Sequence, residues 1–375
     1  MGLPLKGLRV IDLTQDFAGP FCTMILSDLG AEVIKLEKPG TGDETRAWGP
    51  PFVNGISYYF SSLNRGKKSV VLDLKTREGQ RIIRKLVVDA DIFVESSRPR
   101  QMARFKLDYP RLRKTNKALV YASISSFGQT GPYRDRLGYD LVALAMSGIM
   151  ASTGEEGRQP IRMSVPVADI AAGHYASTAI LAALSKRLVT GKGDYIDLSL
   201  YDSIVSWLTY LSSYYFATGK EPQRLGSAHP SIVPYQAFRC EDQDLVLATG
   251  NDNQWMNFCH ATGQKRLLSD RRFSTNPLRV KNRQLLIPVL NRVFRKRKAR
   301  DWQRILVQAH VPATLIFSIR DVARDPQVRK RRMIVGLKGE GLHLESPMRF
   351  YKTKTKKTAP APQLGQHTRE ILAGL

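Results

Sequence analysis

At 375 residues, 42% of them hydrophobic, the chain is long enough for two or three domains around a large core, and its composition excludes a disordered protein. Lys and Arg number 58 against 33 Asp and Glu, leaving a formal charge of +25 that favours anionic ligands. No uninterrupted apolar run approaches the roughly 18 residues that span a bilayer, and the start lacks a secretion signal, so the expectation is a cytoplasmic protein with no membrane partner.

The predicted elements begin with a strand at 8–13, a helix opening near Pro20 and a strand at 32–36. A strand at 70–74, a helix at 78–88, and strands at 92–95 and 119–124 continue the alternation. This βαβ order predicts an α/β fold, a parallel sheet covered by helices in a large Rossmann-like domain. No Gly-x-Gly-x-x-Gly follows the first strand, so a dinucleotide site is unsupported. Helices follow at 139–150, 167–188 and 201–216, the last two closed by glycines. The domain boundaries read as 1–205 for the N-terminal part of the large domain, 206–225 for a linker, 226–325 for a smaller α+β domain, and 326–375 for a return to the large domain.

Cys22, Cys240 and Cys259 are far apart and odd in number, and the six histidines have no ligand spacing, so neither a disulfide framework nor a metal site is expected. The basic runs at 292–300, 329–332 and 352–357 lack interleaved aromatics and match no DNA-reading motif. They read as solvated faces rather than specific nucleic-acid contacts.

Asp169 follows Pro166 in the first turn of the helix starting at 167. The positive end of the helix dipole favours an ionised carboxylate there, as a nucleophilic oxygen requires; a plain helix stabiliser gives the same pattern.

The ordered motifs decide more. Leu5-Lys6-Gly7-Leu8-Arg9-Val10-Ile11-Asp12-Leu13-Thr14 with Ala18-Gly19-Pro20-Phe21, Asn64-Arg65-Gly66-Lys67-Lys68-Ser69-Val70, Phe127-Gly128-Gln129-Thr130-Gly131-Pro132, Gly138-Tyr139-Asp140-Leu141 and Gly226-Ser227-Ala228-His229-Pro230 stand in one chain. With them, the sequence resembles the family III coenzyme A transferases, the CaiB/BaiF group, over nearly its whole length. It is most similar to the succinyl-CoA:glutarate branch. The resemblance implies an interlocked homodimer and CoA as a substrate, with no tightly bound cofactor. It implies transfer of CoA from an acyl-CoA, such as succinyl-CoA, to a small carboxylic acid through a mixed anhydride and a thioester on Asp169.

The same resemblance places Gln15, Phe17 and Tyr139 in the substrate pocket, with Gly250 and Asn251 in a lid loop. It assigns Ala18, Lys38, Leu72, Lys75 and Arg104 to CoA. Tyr139 argues against a racemase, since a phenol with a pKa near 10 is a poor substitute for an acid/base histidine. Departures from the family pattern include Arg100 and Lys106 in stretches that usually carry glycines, and Asp16, an acid beside the acyl pocket. Other readings left open are a silent CoA-binding paralogue, an acyl-CoA racemase or isomerase, and a basic nucleic-acid-associated protein.

Overall fold

The computed structural model describes residues 2–337, 341–353 and 359–375. The chain divides into two compact units, one formed by Met1–Met150, Arg162–Lys220 and Pro326–Leu375, the other by Ala151–Ile161 and Glu221–Asp325.

The first unit is built on six strands: β1 (Arg9–Leu13), β2 (Glu32–Glu37), β3 (Lys68–Val71), β4 (Ile92–Glu95), β5 (Val120–Ser125) and β6 (Tyr195–Ser199). They lie in the order β3-β2-β1-β4-β5-β6, every neighbouring pair parallel. Val10, Ile11, Phe93, Val94, Val120 and Ala122 are fully buried, as expected for central strands covered on both faces. The chain steps outward from β1 to β3 and then returns to β4 on the other side. Ligands of such sheets bind beyond the carboxyl ends of the strands at that reversal, here between β1 and β4.

The principal helices are α1 (Ala18–Asp28), α2 (Arg77–Val88), α3 (Asp140–Met146), α4 (Val167–Thr190), α5 (Leu200–Val205) and α6 (Thr209–Thr218). α2 buries Ile83, Leu86 and Val87, and the Thr76 hydroxyl caps it by accepting from the Gly79 N–H. α1 and α4 pack together in the core through Cys22, Leu26, Ala172, Ala176 and Ile180. Gly173 permits this approach: a Cβ there would stand 2.8 Å from the Ala18 carbonyl oxygen. Among the described residues α4 is the one helix long and apolar enough to cross a membrane, although His174, Ser177 and Thr178 interrupt its apolar run; here it forms the spine of the first unit.

Several expected boundaries move. The strand expected at 70–74 is Lys68–Val71, because the Asp73 carboxylate accepts from the Lys75 N–H and turns the chain. The helix expected at 139–150 stops at Met146, with Gly148 in the left-handed region before a short turn at Ile149–Ser152. Strand β6 was not expected, since its half-exposed edge pattern contains no apolar run. Within 206–225, expected as a linker but overlapping the helix expected at 201–216, a 3-10 turn at Ser206–Leu208 leads into α6, which Gly219 at φ +66° ends as expected. Thr209, at φ +43°, breaks what would be one helix from α5 to α6.

The second unit is an antiparallel sheet of β7 (Tyr235–Arg239), β8 (Asp244–Ala248) and β9 (Ala313–Leu315), with β8 central. It is packed with α7 (Asp252–Ala261), α8 (Arg283–Phe294) and α9 (Ala299–Gln308) around Trp255, Phe258, Phe294 and Trp302. Arg279 is fully buried here, pairing with Asp252 at 2.6 Å and donating to the carbonyls of Val233 and Phe273. The cations Arg295, Lys296, Arg297 and Lys298 are exposed between α8 and α9. Arg329–Arg332 are exposed too, and in the third basic run residues 354–357 lie outside the described residues.

Candidate functional site

A cavity of about 450 Å³ lies beyond the carboxyl ends of β1, β4 and β5, at the reversal in strand order. The loop after β1 supplies Gln15, Asp16 and Phe17, the loop after β4 supplies Ser96 to Pro99, and Tyr139, Asp140 and Asp169 arrive with α3 and α4. Hydrogen bonds fix these loops to one another. The Gln15 N–H donates to Ser96 Oγ at 2.9 Å, Ser97 N–H to Glu95 Oε2 at 2.7 Å, and Ser126 Oγ to the Gly138 carbonyl at 2.6 Å. Glu95 is buried with this loop, and burial pushes its carboxyl up to about 7.

Asp169 is the third residue of α4 and faces this cavity. The expectation that the helix end would hold it ionised is overturned. Burial, with the charges of Asp140 and Asp16 added, pushes its carboxyl up to about 8. The reason is that Asp140 takes the N–H groups the dipole offers: its Oδ1 accepts from Ala168 N–H at 2.7 Å, and it also accepts from Asp169 N–H. Asp140 is thus the cap of α4, and Asp169 sits beside the cap rather than acting as one. Asp140 is itself raised by burial, against the pull of those N–H groups and of the Arg162 charge.

Asp16 is raised to about 6, chiefly by burial and then by Asp43 and Glu44. Its backbone is left-handed, φ +66°, and its N–H points to Asp43 Oδ1 at 3.4 Å. That conformation rests on a buried ionic network. Lys35 Nζ donates to the Thr14 carbonyl at 2.8 Å and pairs with Asp43 at 2.8 Å, while Lys67 pairs with Asp12 at 3.1 Å. Burial alone would raise Asp12, but Lys67 and Lys35 outweigh it and hold the carboxyl at about 2.

The other residues expected at the site divide into four groups. Gln15, Phe17, Ala18 and Tyr139 line the cavity with Asp169. Lys38 lines a smaller neighbouring cavity of about 60 Å³, which shares Gln15 and Ser97 with the first and includes Leu74, Met102 and Phe105. Lys38 stands 3.7 Å from Glu44. Leu72, Lys75 and Arg104 lie one or two residues from that lining rather than in it, Leu72 buried and the two cations exposed. Gly250 and Asn251 belong to the second unit, where Asn251 caps α7 by accepting from the Gln254 N–H at 2.9 Å and the Gly250 N–H donates back to Gln254 Oε1 at 2.7 Å.

Residues not singled out from sequence also contribute. Trp48 and Tyr59 meet edge to face at 4.8 Å in the cavity wall, and burial together with Asp169 raises the Tyr59 phenol, which stays protonated as a donor. Arg134, Arg136 and Arg162 bring positive charge. No spacing ties positions 48 and 59 to 169; only the sheet brings them together. Among the described residues no group of three His, Cys, Asp or Glu side chains is placed to hold a metal ion. The three cysteines are free and buried.

The geometry therefore offers a half-buried carboxyl with a high proton affinity, an adjoining smaller cavity, and arginines in the cavity lining. The family model of CoA-transferase family III matches residues 5–368. Over 373 residues the chain is 42% identical to the succinyl-CoA:glutarate CoA-transferase of Mus musculus, covering 98% of this chain and 86% of that one. It is 41% identical over 382 residues to the succinate–glutarate CoA-transferase of Agrobacterium fabrum, covering 99% and 96%. A crystal structure of a CaiB/BaiF family protein from Brucella suis matches with a TM-score of 0.90 at 40% identity, covering 100% of both chains.

Proposed function

The chain belongs to CoA-transferase family III, and from that premise we propose that it moves CoA from a short dicarboxylic acyl-CoA such as succinyl-CoA to a second small carboxylic acid, with Asp169 as the nucleophile. Glutarate is the acceptor suggested by the named relatives. The observation that carries the reading is Asp169 itself, a half-buried carboxyl at the strand-order reversal beside two further acids.

The Asp169 carboxylate attacks the thioester carbonyl, the C–S bond breaks, and CoA leaves as a thiolate while a mixed anhydride remains on the enzyme. The thiolate then attacks the aspartyl carbonyl, releasing the first acid and leaving an aspartyl-CoA thioester. The carboxylate of the second acid displaces CoA from that thioester, forming a new anhydride. CoA thiolate attacks the carbonyl of the second acid, which leaves as its CoA thioester and restores the Asp169 carboxylate. Activation is never lost to water in this sequence, so ATP is not consumed.

The electrostatics assist the covalent states. Acylation removes the charge on Asp169 that burial, Asp140 and Asp16 disfavour, so the neutral anhydride and thioester gain relative to the free carboxylate. Only about one Asp169 in ten is ionised at pH 7 with a pKa of about 8, so acylation quickens as pH rises towards that value. The Tyr59 phenol and the Gln15 side chain are the nearby neutral donors for the developing oxyanion. We further read the protein as a cytoplasmic interlocked homodimer that uses CoA as substrate and no tightly bound cofactor, with the loop at Gly250 and Asn251 as a lid.

Incubation with succinyl-CoA and glutarate, with mass spectrometry of both CoA esters and of the peptide bearing Asp169, tests this. New glutaryl-CoA with a hydroxylamine-sensitive adduct on Asp169 is expected. Exchange at the wild-type rate in Asp169→Ala would overturn the mechanism.

A further inference from the structure

Four arginines line the cavity, and their surroundings differ. The Arg134 guanidinium is 3.2 Å from the Asp135 carboxylate, and Arg136 lies over the Phe127 and Tyr133 rings at 5.9 and 5.5 Å. Arg98 stands next to Ser97, which also lines the smaller cavity. Arg162 is exposed and donates to the Met163 carbonyl at 3.3 Å; among the described residues it enters no ion pair. Its charge nevertheless acts on Asp140, whose carboxylate holds the Asp169 N–H. A guanidinium free of a carboxylate thus stands on the nucleophile's side of the cavity.

A diacid bound for transfer places one carboxyl carbon at Asp169 and carries a second carboxylate into the cavity. That second charge enters beside Asp16 and Asp140, two acids that repel it, while Asp169 is neutral as its thioester. It needs a cation with spare donors, and a planar guanidinium offers two parallel N–H groups that match a carboxylate. Resting on the transferase reading, we propose that Arg162 is a specificity-determining residue, binding the non-reacting carboxylate of the dicarboxylic substrate and setting the preference for diacids over monoacids of equal length.

The test compares glutarate with valerate as acceptors from succinyl-CoA, in the wild type, Arg162→Gln and Arg162→Lys. Each acid is scored by kcat/KM or, where it does not turn over, by its inhibition constant against exchange between succinyl-CoA and labelled succinate. In Arg162→Gln the glutarate value is expected to weaken about 10- to 100-fold, as for loss of a charge-assisted pair, with valerate changed less than about threefold. Arg162→Lys, keeping the charge without the fork, falls between. Equal losses for both acids, or an unchanged glutarate value, would overturn the assignment. Wild-type protein that exchanges CoA with no acid would instead refute the transferase reading beneath it.

Discussion

Replacing Asp169 with asparagine keeps the shape of the side chain and removes its titration, and it should stabilise the fold increasingly as pH rises. Folded Asp169 binds its proton with a pKa of about 8, against an ordinary 3.8. Below pH 3.8 both states are protonated and the residue costs nothing. Between the two values the unfolded chain releases the proton while the folded one keeps it, so stability falls with pH; above about 8 the loss is complete. At about 1.4 kcal/mol per unit, the wild type loses ~4 kcal/mol between pH 5 and pH 9 through this residue, an upper figure because the cavity is open to water.

Asp169→Asn should therefore gain on the wild type by up to that amount over the same interval. The assay is urea unfolding of both proteins at pH 5, 7 and 9, read by hydrogen exchange in α4 so that the first unit alone is scored. A stability difference that stays constant within about 1 kcal/mol, or that shrinks at high pH, would refute the assignment of a penalised charge at Asp169.

Two further outcomes follow from backbone geometry. Arg100 and Lys106 occupy left-handed φ of +69° and +57°, so Arg100→Gly and Lys106→Gly should each stabilise by about 1 kcal/mol, raising Tm by about 1–2 °C in a scanning calorimeter; an unchanged or lower Tm would count against strain at these sites. Gly173→Ala would place a Cβ against the Ala18 carbonyl, forcing α4 from α1 at a cost of about 1–3 kcal/mol and reducing exchange, as thermal melting and the CoA-ester assay would show; wild-type values in both would mean the helices separate freely.

The sequence by itself determined the βαβ order, the buried central strands and the position of Asp169 in the first turn of α4. These are local consequences of apolar runs and of a proline opening a helix, and the ordered motifs added the family and its chemistry. The stretches that lack the family's usual glycines likewise pointed to strain at Arg100 and Lys106, where the left-handed backbone penalises any residue with a Cβ.

Only the tertiary structure decided the charge state of the candidate nucleophile. Seen alone, a first-turn aspartate is stabilised by free N–H groups; in the fold, Asp140 occupies those groups and Asp16 approaches from another loop, so burial and like charge win. Burial and the proximity of residues 16, 140 and 169 arise from the parallel sheet gathering separate loops at one edge. The break at Thr209 was likewise beyond local reading, because no glycine or proline marks it, and edge strand β6 carries only a two-residue alternation, Ile196 and Leu198, too short to stand out alone.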